Sequence, residues 1–199
     1  MISKYIMKGN DIMAIKIFID QGHNPSNPNA GAEGNGYREQ DLVYEIGVRT
    51  ADLLKQNPNF EVRLSRNSPD EILGTTTSES LAARVRAANE WGADYFISLH
   101  ADASTITSAS GSEAFVYSFE SPASELAENI LAGLQMYTGI ISRGVFERPT
   151  LYVLRRTAMP ATLVELGFIT NASDAALMAN QPELFAEGIY DGILNYFDL

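Results

Sequence analysis

The stretch AIKIFI at residues 14–19 breaks off abruptly into DQGHNP at residues 20–25. A β-branched apolar run this short, closed by turn-forming residues, fits a strand buried on both faces far better than a helix. The same pattern recurs in DYFISLH at residues 94–100, so two such strands each end on or just before a histidine. Further strands are expected at FEVRLS (60–65), Ala114–Ser118, LYVLR (151–155) and ATLVELGFI (161–169).

Amphipathic segments separate these strands. Leu42, Ile46, Val48, Leu53 and Leu54 recur at helical spacing between Glu39 and Lys55. Thr76 and Glu79 have capping-box spacing ahead of a helix carrying Leu81, Val85 and Ala88, which should stop near Gly92. Ser121 and Pro122 open another helix that runs to about Tyr137, with Gly139 just past its end. Pro182 opens the last helix, whose apolar face includes Leu184, Ile189, Ile193 and Phe197. Strands alternating with helices predict an α/β fold: a single domain with a twisted, mostly parallel central sheet of about six strands, flanked by helices on both faces. The Asn-, Gly- and Pro-rich stretch from Asn24 to Tyr37 carries no periodicity and reads as a loop.

A chain of 199 residues supports one sizeable core. Residues 1–13 contain no long apolar run and no cleavage pattern, so a disordered or tag-like leader is expected there and one globular domain over residues 14–199. The net charge of −11 opposes binding to nucleic acid or to an anionic membrane surface, and no apolar stretch approaches the ~20 residues that span a bilayer. With no cysteine, thiolate chemistry is excluded and any metal must be held by nitrogen and oxygen. GxSxG elbows, HExxH and phosphate-cradling glycine loops are absent from the sequence, which argues against a nucleotide cofactor.

In parallel α/β sheets ligands gather beyond the carboxyl ends of the strands, where His23 and His100 both fall. A lone histidine is ordinarily a satisfied structural residue; two in equivalent places make a metal plausible. Two imidazoles and one carboxylate would leave a tetrahedral zinc one open position. Glu39 is a candidate third ligand, although an acidic residue opening a helix is also ordinary dipole complementation. Glu165 stands in an otherwise apolar strand, where it is either a structural partner of Arg155 or Arg156 or a general base with a tuned pKa.

The segments FIDQGHN, GYREQDL, RVRAANEWGADYFISLHADA, GSEAFVYS, SRGV, LYVLR and PATLVELGFITNASD, in this order, resemble the zinc-dependent N-acetylmuramoyl-L-alanine amidases of the amidase-3 type. The resemblance spans about Ile15 to Phe197, and SLHAD and LVELGFITN are its most specific parts. It implies zinc ligands at His23, Glu39 and His100 and a catalytic glutamate at Glu165. It also implies a peptidoglycan substrate, cleaved between N-acetylmuramic acid and the L-alanine of the stem peptide. On this basis Glu165 would take a proton from zinc-activated water and return it to the leaving nitrogen. Asp20 and Ser98, next to the ligands, either hydrogen-bond the ligand shell or are plain strand-end residues.

Two positions depart from the family pattern. Asn24 replaces a glycine beside the first ligand, where its tolerance of positive φ would preserve the turn, and Asp102 replaces an asparagine after the second. The interval from Asp102 to Glu165 has room for a strand, one helix and two further strands, so an open cleft is expected rather than one plugged by an extra helix. The resemblance further implies action at the bacterial cell wall, outside the membrane, as a hydrolase of autolysin type. A monomer is expected; the export route is open, as no signal peptide is visible. The rivals are a catalytically silent peptidoglycan-binding module on the same fold and a metal-free glycosidase using Glu39 and Glu165.

Overall fold

The computed structural model of the chain describes residues 7–8, 11–12 and 14–199. Most of the expected leader lies outside the described residues; within it, β1 (Met7–Lys8) pairs antiparallel with β2 (Asp11–Ile12). The domain then runs β3 (Ile15–Gln21), β4 (Glu33–Gly34), β5 (Tyr37–Arg38), α1 (Glu39–Lys55), β6 (Phe60–Leu64), α2 (Thr77–Trp91), β7 (Tyr95–Asp102) and β8 (Ser112–Val116). It continues with α3 (Pro122–Thr138), β9 (Ser142–Glu147), α4 (Tyr152–Arg156), β10 (Ala161–Phe168), α5 (Ala172–Asn180) and α6 (Pro182–Phe197).

Six strands form the central sheet in the order β6-β3-β7-β10-β8-β9. β6, β3, β7 and β10 run parallel; β8 pairs antiparallel with β10, and the edge strand β9 runs parallel to β8. The expected fold class is therefore the one observed. Some elements differ. LYVLR is not a strand: Leu151 precedes the short helix α4, whose Val153 and Leu154 are buried against the sheet. Its five residues carry no helical repeat by which it could be told from a strand. The sixth strand is instead SRGVFE, an edge strand of mostly exposed or half-buried residues, so it lacks the apolar signature of the others. Helix α5 was also not expected; Asn171 caps it by accepting from the backbone N–H groups of Ser173 and Asp174.

The period-2 alternation of the strands divides the core in two. Ile15, Ile17 and Ile19 of β3, with Ile97 and Leu99 of β7, pack against α1, α3 and α6. Phe18 and Phe96 stack with ring centroids 5.7 Å apart on the other face, under Val85 and Ala88 of α2 and Val153 and Leu154 of α4. Continuing that second face toward the carboxyl ends leads from Phe18 to Asp20, from Phe96 through Ser98 to His100, and from Leu163 to Glu165. Apolar packing thus gives way to polar chemistry at one end of the sheet.

Helix α2 begins and ends as the sequence predicts. Thr76 accepts from the Glu79 N–H, the Glu79 carboxylate reaches back to the Thr75 N–H at 2.8 Å, and Gly92 closes the helix at φ +67. The helices on the other face approach more closely: a Cβ on Gly133 of α3 would lie 2.1 Å from the Gly188 carbonyl oxygen of α6.

Candidate functional site

Strand β3 ends at Gln21, and Gly22 donates to the Leu99 carbonyl of β7 at 3.0 Å, holding the two strand ends together. The chain then turns through His23, whose backbone is left-handed at φ +66. The expectation placed the tolerance for positive φ at Asn24; the residue that adopts it is His23. Asn24 is wholly buried and works through its side chain instead, donating to the Pro28 and Leu73 carbonyls at 2.8 and 3.1 Å and accepting from the Leu73 N–H at 3.1 Å. A glycine here would have no such side chain.

The loop that follows contains a tight hairpin. β4 and β5 pair around Asn35 and Gly36, both at positive φ, and the Asn35 amide donates to the Ile169 carbonyl at the end of β10. Asn-Gly between paired residues is a strong two-residue hairpin signal, and it was legible in EGNGYR. The hairpin delivers Glu39 as the first residue of α1, next to both histidines.

Three donor atoms converge. His23 Nε2 and His100 Nδ1 each lie 3.0 Å from Glu39 Oε1 and 3.1 Å from one another. A tetrahedral ion with ~2.0–2.1 Å bonds holds its donors about 3.3 Å apart, so the donor set and its spacing fit a zinc-sized cation. Both imidazoles remain partly accessible, whereas Glu39 is buried and fixed by the N–H groups of Ala32 (2.9 Å, to Oε2) and Ala101 (3.0 Å, to Oε1). Burial alone would raise the Glu39 carboxyl pKa. Hydrogen bonds from His100 and His23 outweigh it and hold the group well below the usual carboxylate range.

Space around the triad is tight. A Cβ on Gly31 would fall 2.7 Å from Glu39 Oε2 and 2.9 Å from His23 Cδ2. A cavity of about 150 Å³ lies beside the histidines, walled by Leu81 of α2, Leu163 of β10, and Leu151, Tyr152 and Val153 at α4. The misassigned LYVLR segment therefore builds a wall next to the site.

Glu165 is in register with His100 on one side and Glu113 on the other. Its Oε2 is buried without a hydrogen-bond partner among the described residues, and neither Arg155 nor Arg156, both exposed, forms an ion pair with it. Desolvation, with repulsion from Glu39, Asp102 and Glu113, pushes its carboxyl well above the ordinary glutamate value. Asp20 and Ser98 hydrogen-bond each other at 2.7 Å, and the other Asp20 oxygen accepts from Arg84 of α2 at 2.6 Å. Arg84, which donates to the carbonyls of Gln21 and His23, was not picked out from the sequence; a single arginine in an amphipathic helix carries no signal of burial.

Fold and site together define an α/β domain with a His-Glu-His candidate metal centre and an isolated carboxyl beside it. Residues 17–195 match the family model described as N-acetylmuramoyl-L-alanine amidase, Amidase_3, and the chain belongs to this family. The N-acetylmuramoyl-L-alanine amidase CwlM of Bacillus licheniformis is 34% identical over 189 residues, which cover 93% of this chain and 70% of that protein. LytC of Bacillus subtilis is 35% identical over 192 residues, but these cover 36% of its length. A solved N-acetylmuramoyl-L-alanine amidase from Clostridium difficile 630 superposes with a TM-score of 0.83 at 31% identity, covering 93% of this chain and 97% of that one.

Proposed function

We propose that the chain is a zinc-dependent N-acetylmuramoyl-L-alanine amidase that hydrolyses the amide between N-acetylmuramic acid and L-alanine of the peptidoglycan stem peptide. The observation that carries this is the convergence of His23 Nε2, Glu39 Oε1 and His100 Nδ1 at 3.0–3.1 Å, one strand from Glu165, whose Oε2 has no partner among the described residues, in a chain of this family. His23, Glu39 and His100 would hold the zinc. Bound there, it supplies Lewis acidity toward the scissile carbonyl and lowers the pKa of a water toward ~7.

The rest of the chemistry belongs to the chain. Glu39, anchored by two backbone N–H groups, contributes a fixed negative charge to the metal site. Glu165, with its Oε2 unpartnered among the described residues, would accept a proton and return it to the leaving nitrogen. Its position one strand from His100 suits both transfers. The partly exposed imidazoles support turnover without an activator protein. The site of action is the cell wall.

The test is mass analysis of digested peptidoglycan. Free stem peptides beginning with alanine, lost on EDTA treatment and restored by zinc, are expected. Glu165→Ala should retain zinc and release nothing. Metal-independent release of sugar fragments would establish the glycosidase instead, and wall binding without any release would establish a silent binding module.

A further inference from the structure

The structure assigns to Arg84, with Asp20 as its counter-ion, the role of positioning residue for the first metal ligand: it holds the left-handed backbone of His23 and thereby sets the place of the imidazole in the triad. The inference rests on the metal-site reading above.

A ligating histidine is ordinarily oriented by a hydrogen bond from its second ring nitrogen. His23 has none: its Nδ1 is buried without a partner among the described residues. The ring must therefore be placed through its backbone, and that backbone is in a conformation L-residues disfavour. What over-determines it is one guanidinium. Arg84, 1% exposed, reaches from α2 to the end of β3. Its Nη1 donates to Asp20 Oδ1 and the Gln21 carbonyl at 2.6 Å each and to Ser65 Oγ at 3.2 Å. Its Nη2 donates to the His23 carbonyl and, at 3.4 Å, to Asn24 Oδ1.

The grip extends to the second histidine. Asp20 Oδ2 accepts from Ser98 Oγ at 2.7 Å, and Ser98 stands two residues before His100 on β7. One ion pair thus links α2 to both strand ends that carry imidazole ligands. A buried ion pair is a weak source of stability compared with apolar side chains of the same volume, so its worth should appear at the metal more than in the fold. A planar fork can hold the carbonyls of Gln21 and His23 and the Asp20 carboxylate at once; a lysine ammonium in the same place is a point donor.

The experiment compares wild type, Arg84→Lys, Arg84→Met, the apolar pair Asp20→Leu/Arg84→Met, and Ile130→Ala. Ile130 is wholly buried on the opposite face of the sheet. Zinc affinity is measured by chelator competition, cobalt(II) substitution is followed by its d–d spectrum, and melting is recorded on the metal-free proteins. A loss of ~10–100-fold in zinc affinity is expected for both Met-containing variants, with an altered cobalt spectrum and a smaller loss in Arg84→Lys. Ile130→Ala should melt earlier yet bind zinc as wild type does. If folded Arg84→Met or Arg84→Lys matches wild type in zinc affinity and cobalt spectrum, the positioning role is wrong. Wild type that binds neither metal would overturn the metal-site reading itself, and this inference with it.

Discussion

Gly22 sits where no side chain fits. A Cβ there would lie 2.5 Å from His100 Cε1, 2.6 Å from His100 Nε2 and 2.7 Å from the Leu99 carbonyl oxygen. That oxygen is part of the sheet and accepts from the Gly22 N–H itself at 3.0 Å, so it cannot withdraw. The His100 ring has to give way. Carbon atoms rest about 3.5–4.0 Å apart, so Gly22→Ala displaces the imidazole by about 1 Å. Metal–ligand distances hold to within about 0.2 Å, and a shift of this size takes Nδ1 out of the triad. Zinc affinity should therefore fall by more than the ~10–100-fold typical of losing a supporting contact. Overpacking should also cost the metal-free fold ~1–3 kcal/mol. Chelator competition and calorimetric melting of the apo-protein read the two effects separately. A Gly22→Ala protein that binds zinc as tightly as wild type would refute the claim that this glycine makes room for the ligand.

Glu165→Gln should stabilise the metal-free protein in a pH-dependent way. The folded carboxyl holds its proton above the ordinary glutamate range, so raising the pH ionises the unfolded chain first and draws stability from wild type alone. The melting gap between variant and wild type should widen from about pH 4.5 upward, by at most ~1.4 kcal/mol per pH unit, and stay constant below; a gap independent of pH between 5 and 8 would contradict the buried, protonated carboxyl. Thr76→Ala removes the cap of α2 and should cost ~1 kcal/mol, or roughly 2–4 °C in melting temperature. Gly133→Ala drives a methyl to 2.1 Å from the Gly188 carbonyl oxygen and should cost about 3 kcal/mol or more, while the zinc affinity of the folded fraction stays unchanged.

Much of this molecule is written locally. Ile15–Ile19 and Tyr95–Leu99 declare buried strands because apolar β-branched and aromatic residues dominate them, with Lys16 and Ser98 the single polar residue in each. Thr76 and Gly92 declare the ends of α2 because a side-chain acceptor and a left-handed residue are local requirements. The two histidines were conspicuous because both stand near the carboxyl ends of such strands, although β7 continues two residues past His100, and Glu165 because it interrupts one. LYVLR misled because five apolar and basic residues suit a strand and a short helix equally, and only the packing of Val153 and Leu154 beneath the sheet separates the two. SRGVFE stayed hidden because an edge strand needs little burial.

By itself, then, the sequence determined the alternation of strands and helices, the burial of the central strands and the residue types able to bind a metal. These follow from side-chain chemistry over spans of a few residues. Only the tertiary structure decided that Glu39 meets both imidazoles, that Asn24 ties down a loop rather than bending one, and that Arg84 grips the carbonyl of His23. Each of these joins residues far apart in the chain, and such contacts depend on how the elements pack, which no local pattern records.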